Sequence, residues 1–164
     1  MSNSKKINIR PAHINDIDQL ARLFRDTITT INTKDYNEEQ IKAWSGTIDN
    51  TDRIKAKLEE QYFIVAEIEN VLVGFSSLTS TGYLDYMFTH KSYQGIGIAS
   101  GFVSGIKAQA IKWGLKEITT DASITAKTFF EKHGFKTIRQ QSVYIIDVML
   151  TNYKMYCTIN GIPV

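Results

Sequence analysis

The sequence predicts an α+β domain with one mixed sheet, and two observations carry that class. The apolar patterns fall in the order of a strand, several helices, a three-strand meander, and then helices alternating with strands. That order suits a mixed sheet better than a doubly wound parallel one. The 164 residues contain only two prolines, Pro11 and Pro163, and no repeat or low-complexity run. A mid-chain boundary is therefore unsupported, and one domain over 1–164 is expected.

The first strand is expected over Lys6 to Arg10, stopped by Pro11. Ile17, Leu20, Ala21, Phe24, Ile28 and Ile31 then recur at helical spacing, with Asn15 or Asp16 as the candidate N-cap. Glu38 to Trp44 and Asp52 to Glu60 read as two shorter helices. Tyr62 to Glu67 and Val71 to Thr79 read as paired strands about a turn at Glu69-Asn70, and Tyr83 to Thr89 as a third. Ala99, Phe102, Val103, Ile106, Ala110 and Trp113 share one helical face, with Gly114 as the stop. Glu117 to Asp121 is a short strand, Ser123 caps a helix ending at Gly134, and 135–147 and 148–159 suit two final strands.

Composition narrows the function classes. The formal charge of +2 is too small to argue for nucleic acid, and no apolar run approaches the roughly 20 residues of a membrane span. Residues 1–10 lack the apolar core of a secretory signal. The one cysteine, Cys157, cannot form an internal disulfide, which fits a cytoplasmic location. No metal-ligand set stands out by spacing, and none is expected.

Chemistry concentrates in Ser92 to Phe102, SYQGIGIASGF, between a strand and a helix. Gly95 and Gly97 remove side chains where backbone N–H groups can converge on an anion, and the following helix adds its unpaired amides. A triphosphate P-loop would end Gly-Lys-Ser/Thr, which Gly97-Ile98-Ala99 does not. A Rossmann fingerprint would put a glycine near Ser100 and lie early in the chain. On spacing alone, the loop is as readily a tight turn that binds nothing.

Gln94-Gly95-Ile96-Gly97-Ile98-Ala99 resembles the Arg/Gln-x-x-Gly-x-Gly/Ala signature of the GNAT superfamily of N-acetyltransferases. The resemblance extends upstream through Leu84 to His90, and downstream through Ser123 to Phe135, which is similar to that family's second cofactor motif. Tyr36 to Trp44 and Asp121 to Phe135 further resemble the YafP-like bacterial subgroup. The resemblance implies a mixed, mostly antiparallel sheet flanked by helices, and acetyl transfer from acetyl-CoA to a primary amine by direct attack through a tetrahedral intermediate. It implies that backbone amides of Gln94, Gly95, Ile96, Gly97, Ile98, Ala99 and Ser100 hold the pyrophosphate. It also implies that Met87, Phe88 and Thr89 run along the pantetheine arm, and that Ser123, Ala126, Phe129 and Phe130 form the rest of the cofactor wall. The sheet must splay to admit the arm, and a β-bulge near Asp85 to Met87 would open it and free an N–H.

Asp85 is the candidate general base. Plain alternation puts Tyr83, Asp85 and Met87 on one face and Leu84, Tyr86 and Phe88 on the other, an arrangement that a bulge would change in favour of Tyr86. His90 is a further candidate base, but it leads into the loop and reads more readily as a turn histidine. Phe130 stands where many relatives carry a tyrosine that protonates the leaving thiolate, so water, or a tyrosine elsewhere such as Tyr83 or Tyr144, is left to supply that proton. The same departure leaves open a module that binds acetyl-CoA or CoA without turnover. Tyr36, Gln40 and Trp44 fall at i, i+4 and i+8, and with Tyr86 are expected to wall an acceptor cleft for a small amine. Lys127 and Lys132 are candidates for the coenzyme's 3′-phosphate. His13 reads as a surface-loop residue, His133 as a helix-end residue and Cys157 as buried filler. A homodimer is left open.

Overall fold

The computed structural model describes residues 4–160; residues 1–3 and 161–164, with Pro163, lie outside the described set. Seven strands form one sheet in the order β1-β2-β3-β4-β5-β7-β6. They are β1 (Asn8–Pro11), β2 (Tyr62–Ile68), β3 (Val71–Leu78), β4 (Tyr83–Thr89), β5 (Glu117–Ser123), β6 (Lys136–Ile145) and β7 (Val148–Thr158). Only β4 and β5 pair in parallel; the other neighbours are antiparallel. Among the described residues five α-helices flank the sheet: α1 (Ile17–Thr30), α2 (Glu38–Ser45), α3 (Thr51–Glu60), α4 (Ile98–Lys112) and α5 (Lys127–Lys132). No helix among the described residues is long and apolar enough to cross a membrane.

Pro11 does not stop β1 as expected; it pairs with Ile64 inside the strand. An edge strand tolerates proline, because the missing N–H can fall on the unpaired side. Of the two candidate caps, Asp16 stands at the N-cap of α1, but its side chain makes no cap bond to that helix. His13 Nδ1 accepts the Asn15 N–H, so this histidine caps a short 3-10 turn that leads into α1. Asp16 instead accepts two bonds from the Arg10 guanidinium, at 2.8 and 2.9 Å.

Two apolar layers sandwich the sheet. On one face α1 to α3 bury Leu20, Phe24, Ile28, Ile41 and Ile54 against Phe63, Val65 and Phe75. On the other, α4 and α5 bury Phe102, Ile106 and Phe130 against residues including Ile64, Leu78, Leu84 and Met155. Each fully buried large side chain contributes on the order of 1.5–3 kcal/mol. Gly74 of β3 sets how closely α4 approaches. A Cβ there would lie 2.9 Å from the Phe102 ring, 2.9 Å from the Phe88 carbonyl and 3.0 Å from Ile98 Cγ2. The absent side chain therefore seats the first turn of α4, and with it the glycine loop, against the sheet.

Candidate active site

β4 and β5 pair only at Tyr83↔Thr119 and Leu84↔Thr120. Beyond Leu84 they part, although β4 runs on to Thr89 and β5 to Ser123. The cause lies on the other side of β4. Leu78 pairs with Leu84 while its neighbour Ser77 pairs with Tyr86, so Asp85 is one residue too many. This is the bulge expected near Asp85 to Met87, and it bends and twists the strand that carries it. Three hydroxyls brace it. Ser76 Oγ donates to the Tyr86 carbonyl at 2.7 Å, Ser77 Oγ accepts the Tyr86 N–H at 3.2 Å, and Thr120 Oγ1 donates to the Leu84 carbonyl at 2.9 Å. Sequence reasoning missed all three; buried serines in a strand were the only signal.

The bulge corrects the facing that plain alternation gave. Leu84 and Met87 now pack together on the α4–α5 side, while Tyr86 and Phe88 join Phe24 on the other. Asp85 and Met87 therefore do not share a face. The Asp85 carboxylate meets α3: its Oδ2 accepts from Lys57 Nζ at 2.7 Å and from Gln61 Nε2 at 2.9 Å. Lys57 Nζ also lies 4.5 Å from the centre of the Tyr86 ring. No hydrogen bond among the described residues uses Asp85 Oδ1.

Past the bulge, the β4 main chain is aimed in two directions. His90 N–H donates to the Val73 carbonyl at 2.8 Å, which puts the ladder-bonded residues at alternate positions from there. The polar groups of Met87 and Thr89 consequently point away from β3, into the gap toward β5. The Thr89 carbonyl is taken by Thr27 Oγ1 at 3.0 Å and Gln94 Nε2 at 2.7 Å.

The glycine loop stands at the end of this gap. Gly95 and Gly97 have φ of 74° and 93°, and a Cβ at either would meet nothing within 4 Å. Backbone conformation, not crowding, demands glycine there, and the space outside is open to a ligand. The N–H groups from Gln94 to Ser100 find no acceptor among the described residues. Seven successive free amides with two left-handed residues among them, opening a helix, form an anion cradle. Ile98 itself is buried beneath the loop and Ile96 is exposed, so neither side chain crowds it.

One cleft of about 1360 Å³ runs from Gln94 and Ala99 of the loop to the β6–β7 hairpin. Gln94, Ala99, Ser123, Ala126, Phe129 and Phe130 line it, as do Met87, Phe88 and Thr89 of β4. Ser123 ends β5, and its Oγ accepts the Ala126 N–H at 3.1 Å, so it caps a turn ahead of α5 and not the helix itself. Ser100 is drawn away: its Oγ lies 3.0 Å from His133 Nε2, while His133 Nδ1 lies 2.8 Å from the Phe129 carbonyl. His133 thus ties α5 to the first turn of α4, a role beyond the helix-end placement expected for it. Lys127 is engaged with Glu131. His90 Nδ1 accepts the Ser92 N–H, as a turn histidine does. Cys157 is buried, as expected of apolar filler.

Tyr83 and Tyr86 both reach the cleft. Tyr83 donates its hydroxyl to Asp121 Oδ2 at 2.9 Å, and Gln141 holds the other Asp121 oxygen. Burial first, and the Asp121 charge second, push the Tyr83 phenol far above its ordinary range. It is therefore held protonated and is a reluctant acid. Tyr144 is 69% exposed and does not line the cleft, which corrects its candidacy as proton donor. Trp44 stands in the wall with its ring 5.4 Å from that of Tyr36. Tyr36 is itself buried, and its hydroxyl is spent on the Thr151 carbonyl and the Ile124 N–H, so it supports the wall more than it presents to a ligand. Burial raises the Tyr36 phenol as well.

Comparison with known proteins agrees with this geometry. Residues 32–157 match the acetyltransferase (GNAT) domain family. The chain is 37% identical over 150 residues to the uncharacterized N-acetyltransferase YafP of Escherichia coli K12, covering 91% of this chain and 94% of that one. Its fold is similar to the crystal structure of a GCN5-related N-acetyltransferase from Rhodopseudomonas palustris, with a TM-score of 0.89 and 29% identity over 92% of this chain and 94% of the other. The PaiA N-acetyltransferase of Thermoplasma acidophilum, crystallised in complex with coenzyme A, shares the fold at a TM-score of 0.78 and 18% identity, over 93% and 99% of the two chains. A parted mixed sheet, a free-amide loop at its mouth and this match over most of the sequence together establish that the chain belongs to the GNAT family of acetyltransferases.

Proposed function

We propose that this acetyltransferase moves the acetyl group of acetyl-CoA to the primary amine of a small molecule, with Asp85 as the general base. The observation that carries the reading is the gap between β4 and β5 beside seven unbonded loop amides. The fit is chemical: a diphosphate wants converging N–H groups, and an amide-bearing arm wants an unpaired strand edge.

In this reading the amides of Gln94 to Ser100 take the diphosphate, and the Met87 carbonyl and the Thr89 N–H bind the pantetheine arm, the Thr89 carbonyl being already taken by Thr27 and Gln94. The bound coenzyme supplies an activated thioester. The Met87 N–H polarises its carbonyl and holds the oxyanion of the tetrahedral intermediate, an effect worth about 3 kcal/mol for one such donor. A primary amine with a pKa near 10 arrives protonated, so it must lose a proton before it attacks. Asp85, with Oδ1 free and Oδ2 held by Lys57 and Gln61, takes that proton directly or through water. The leaving thiol has a pKa near 8.5, so its thiolate departs with little acid assistance. This accommodates Phe130, which has no proton to give, and a Tyr83 bound to Asp121.

Phe130 is also the one observation that favours a second reading, a module that binds the coenzyme and does not turn it over. Two measurements separate the readings. Acetyl-CoA at a hundred times its Kd should stabilise the protein by about 2.7 kcal/mol, visible as a rise in melting temperature. A panel of primary amines should then release free thiol. Stabilisation without amine-dependent release supports the binding module, and no stabilisation sinks both.

A further inference from the structure

The tip of the β6–β7 hairpin holds a residue that the fold does not need. Ile145 and Val148 are the last pair, so Ile146 and Asp147 form a two-residue turn. Only the first of them is left-handed, with φ of 56° at Ile146. A turn with positive φ at its first central residue alone takes glycine there. A β-branched residue in that conformation is a genuine outlier. The β2–β3 hairpin shows the ordinary solution: Glu69 and Asn70 both have positive φ, and asparagine tolerates it.

Ile146 is also the most exposed large hydrophobic side chain among the described residues, at 87%. Folding therefore gains nothing from its apolar surface and is opposed by its branching. Yet Ile146 lines the cleft, beside Val143, Ile145 and Val148 and together with Trp44 and Ala43 of α2. The hairpin is fixed to α2 there, through Gln40 Nε2 donating to the Met149 carbonyl at 2.9 Å. A strained, solvent-facing aliphatic side chain at the rim of a cleft finds its use when a ligand arrives.

We infer that Ile146 is the specificity-determining residue of the acceptor end, where it covers the apolar body of an alkyl or aryl primary amine. The inference rests on the acceptor assignment above and adds to it the class of amine. Calorimetry tests it with CoA-saturated protein and three probes: ethylamine, hexylamine and 2-phenylethylamine. The wild type should bind the two larger amines at least about tenfold more tightly than ethylamine. Ile146→Gly and Ile146→Asn should each bring that ratio to within about threefold. Both should melt at or above the wild-type temperature, Ile146→Gly by about 2–4 °C as the strain is relieved. A wild type that does not discriminate, an unchanged ratio in both variants, or a fall in the melting temperature of both would overturn the inference. Failure of CoA to bind would count against the proposed function instead, and the same titrations without coenzyme would still read the ratio.

Discussion

The two ends of the cleft are built from different materials. The end proposed to take the coenzyme offers main chain: loop amides from Gln94 to Ser100, and the outward groups of Met87 with the Thr89 N–H past the bulge. The end proposed for the acceptor offers side chains: Asp85, Lys57, Tyr86 and Trp44, with the hairpin tip, brought together from α2, α3, β4 and β6–β7. Main-chain recognition constrains the sequence only where conformation is special, so it leaves a short motif. Side-chain recognition leaves no motif, and single substitutions can retune it.

Variants that strike one end and spare the other sharpen this contrast. Asp85→Asn should have the largest effect, lowering kcat/KM by about 10²–10⁴ while acetyl-CoA still raises the melting temperature by the wild-type amount. Steady-state thiol release and a thermal titration read the two halves separately. Unchanged turnover would remove Asp85 as base. Gly97→Val should do the reverse. A branched residue in the left-handed region costs about 1–2 kcal/mol and fills the open space in front of the amides, so coenzyme should bind about tenfold or more weakly.

This division also explains what the sequence disclosed. Gly95 and Gly97 marked the loop proposed to hold the coenzyme because two left-handed residues ahead of a helix call for glycine. The bulge could be expected only near Asp85 to Met87. Its register is set by Ser76, Ser77 and Thr120, hydroxyls on neighbouring strands whose bonds to Tyr86 and Leu84 span 9 to 36 residues of sequence. With the bulge unplaced, alternation put Asp85 and Met87 on one face, and the partnership with Lys57 and Gln61 was out of sight. Tyr36 and Trp44 fell correctly on one stripe. The spacing could not show that the Tyr36 hydroxyl is consumed by two backbone groups from β7 and the β5–α5 turn.

Smaller effects probe the scaffold that both ends share. Gly74→Ala forces a methyl into contacts of 2.9–3.0 Å and should cost about 1–3 kcal/mol in denaturant unfolding, with weaker coenzyme binding as the first turn of α4 shifts. Ser76→Ala leaves the Tyr86 carbonyl without its hydroxyl partner and should cost on the order of 1 kcal/mol, with kcat falling more than coenzyme affinity.

The smallest effect concerns acid. Bonds from the Arg10 guanidinium hold the Asp16 carboxyl below the usual carboxylate range. A depressed folded value means that the contribution is present above the unfolded value, about pH 4, and is lost as pH falls through the lower folded value. Melting temperature should therefore decline on acidification below about pH 4, and less steeply in Asp16→Asn, which has already lost that contribution at neutral pH.

Hydrogen exchange with saturating CoA tests the central claim most directly, since the amides proposed to grip the coenzyme have no acceptor within the described protein. Exchange should slow across Met87–Thr89 and Gln94–Ser100 and stay unchanged at the Glu69–Asn70 turn. Coenzyme that binds while both segments exchange as before would contradict the account.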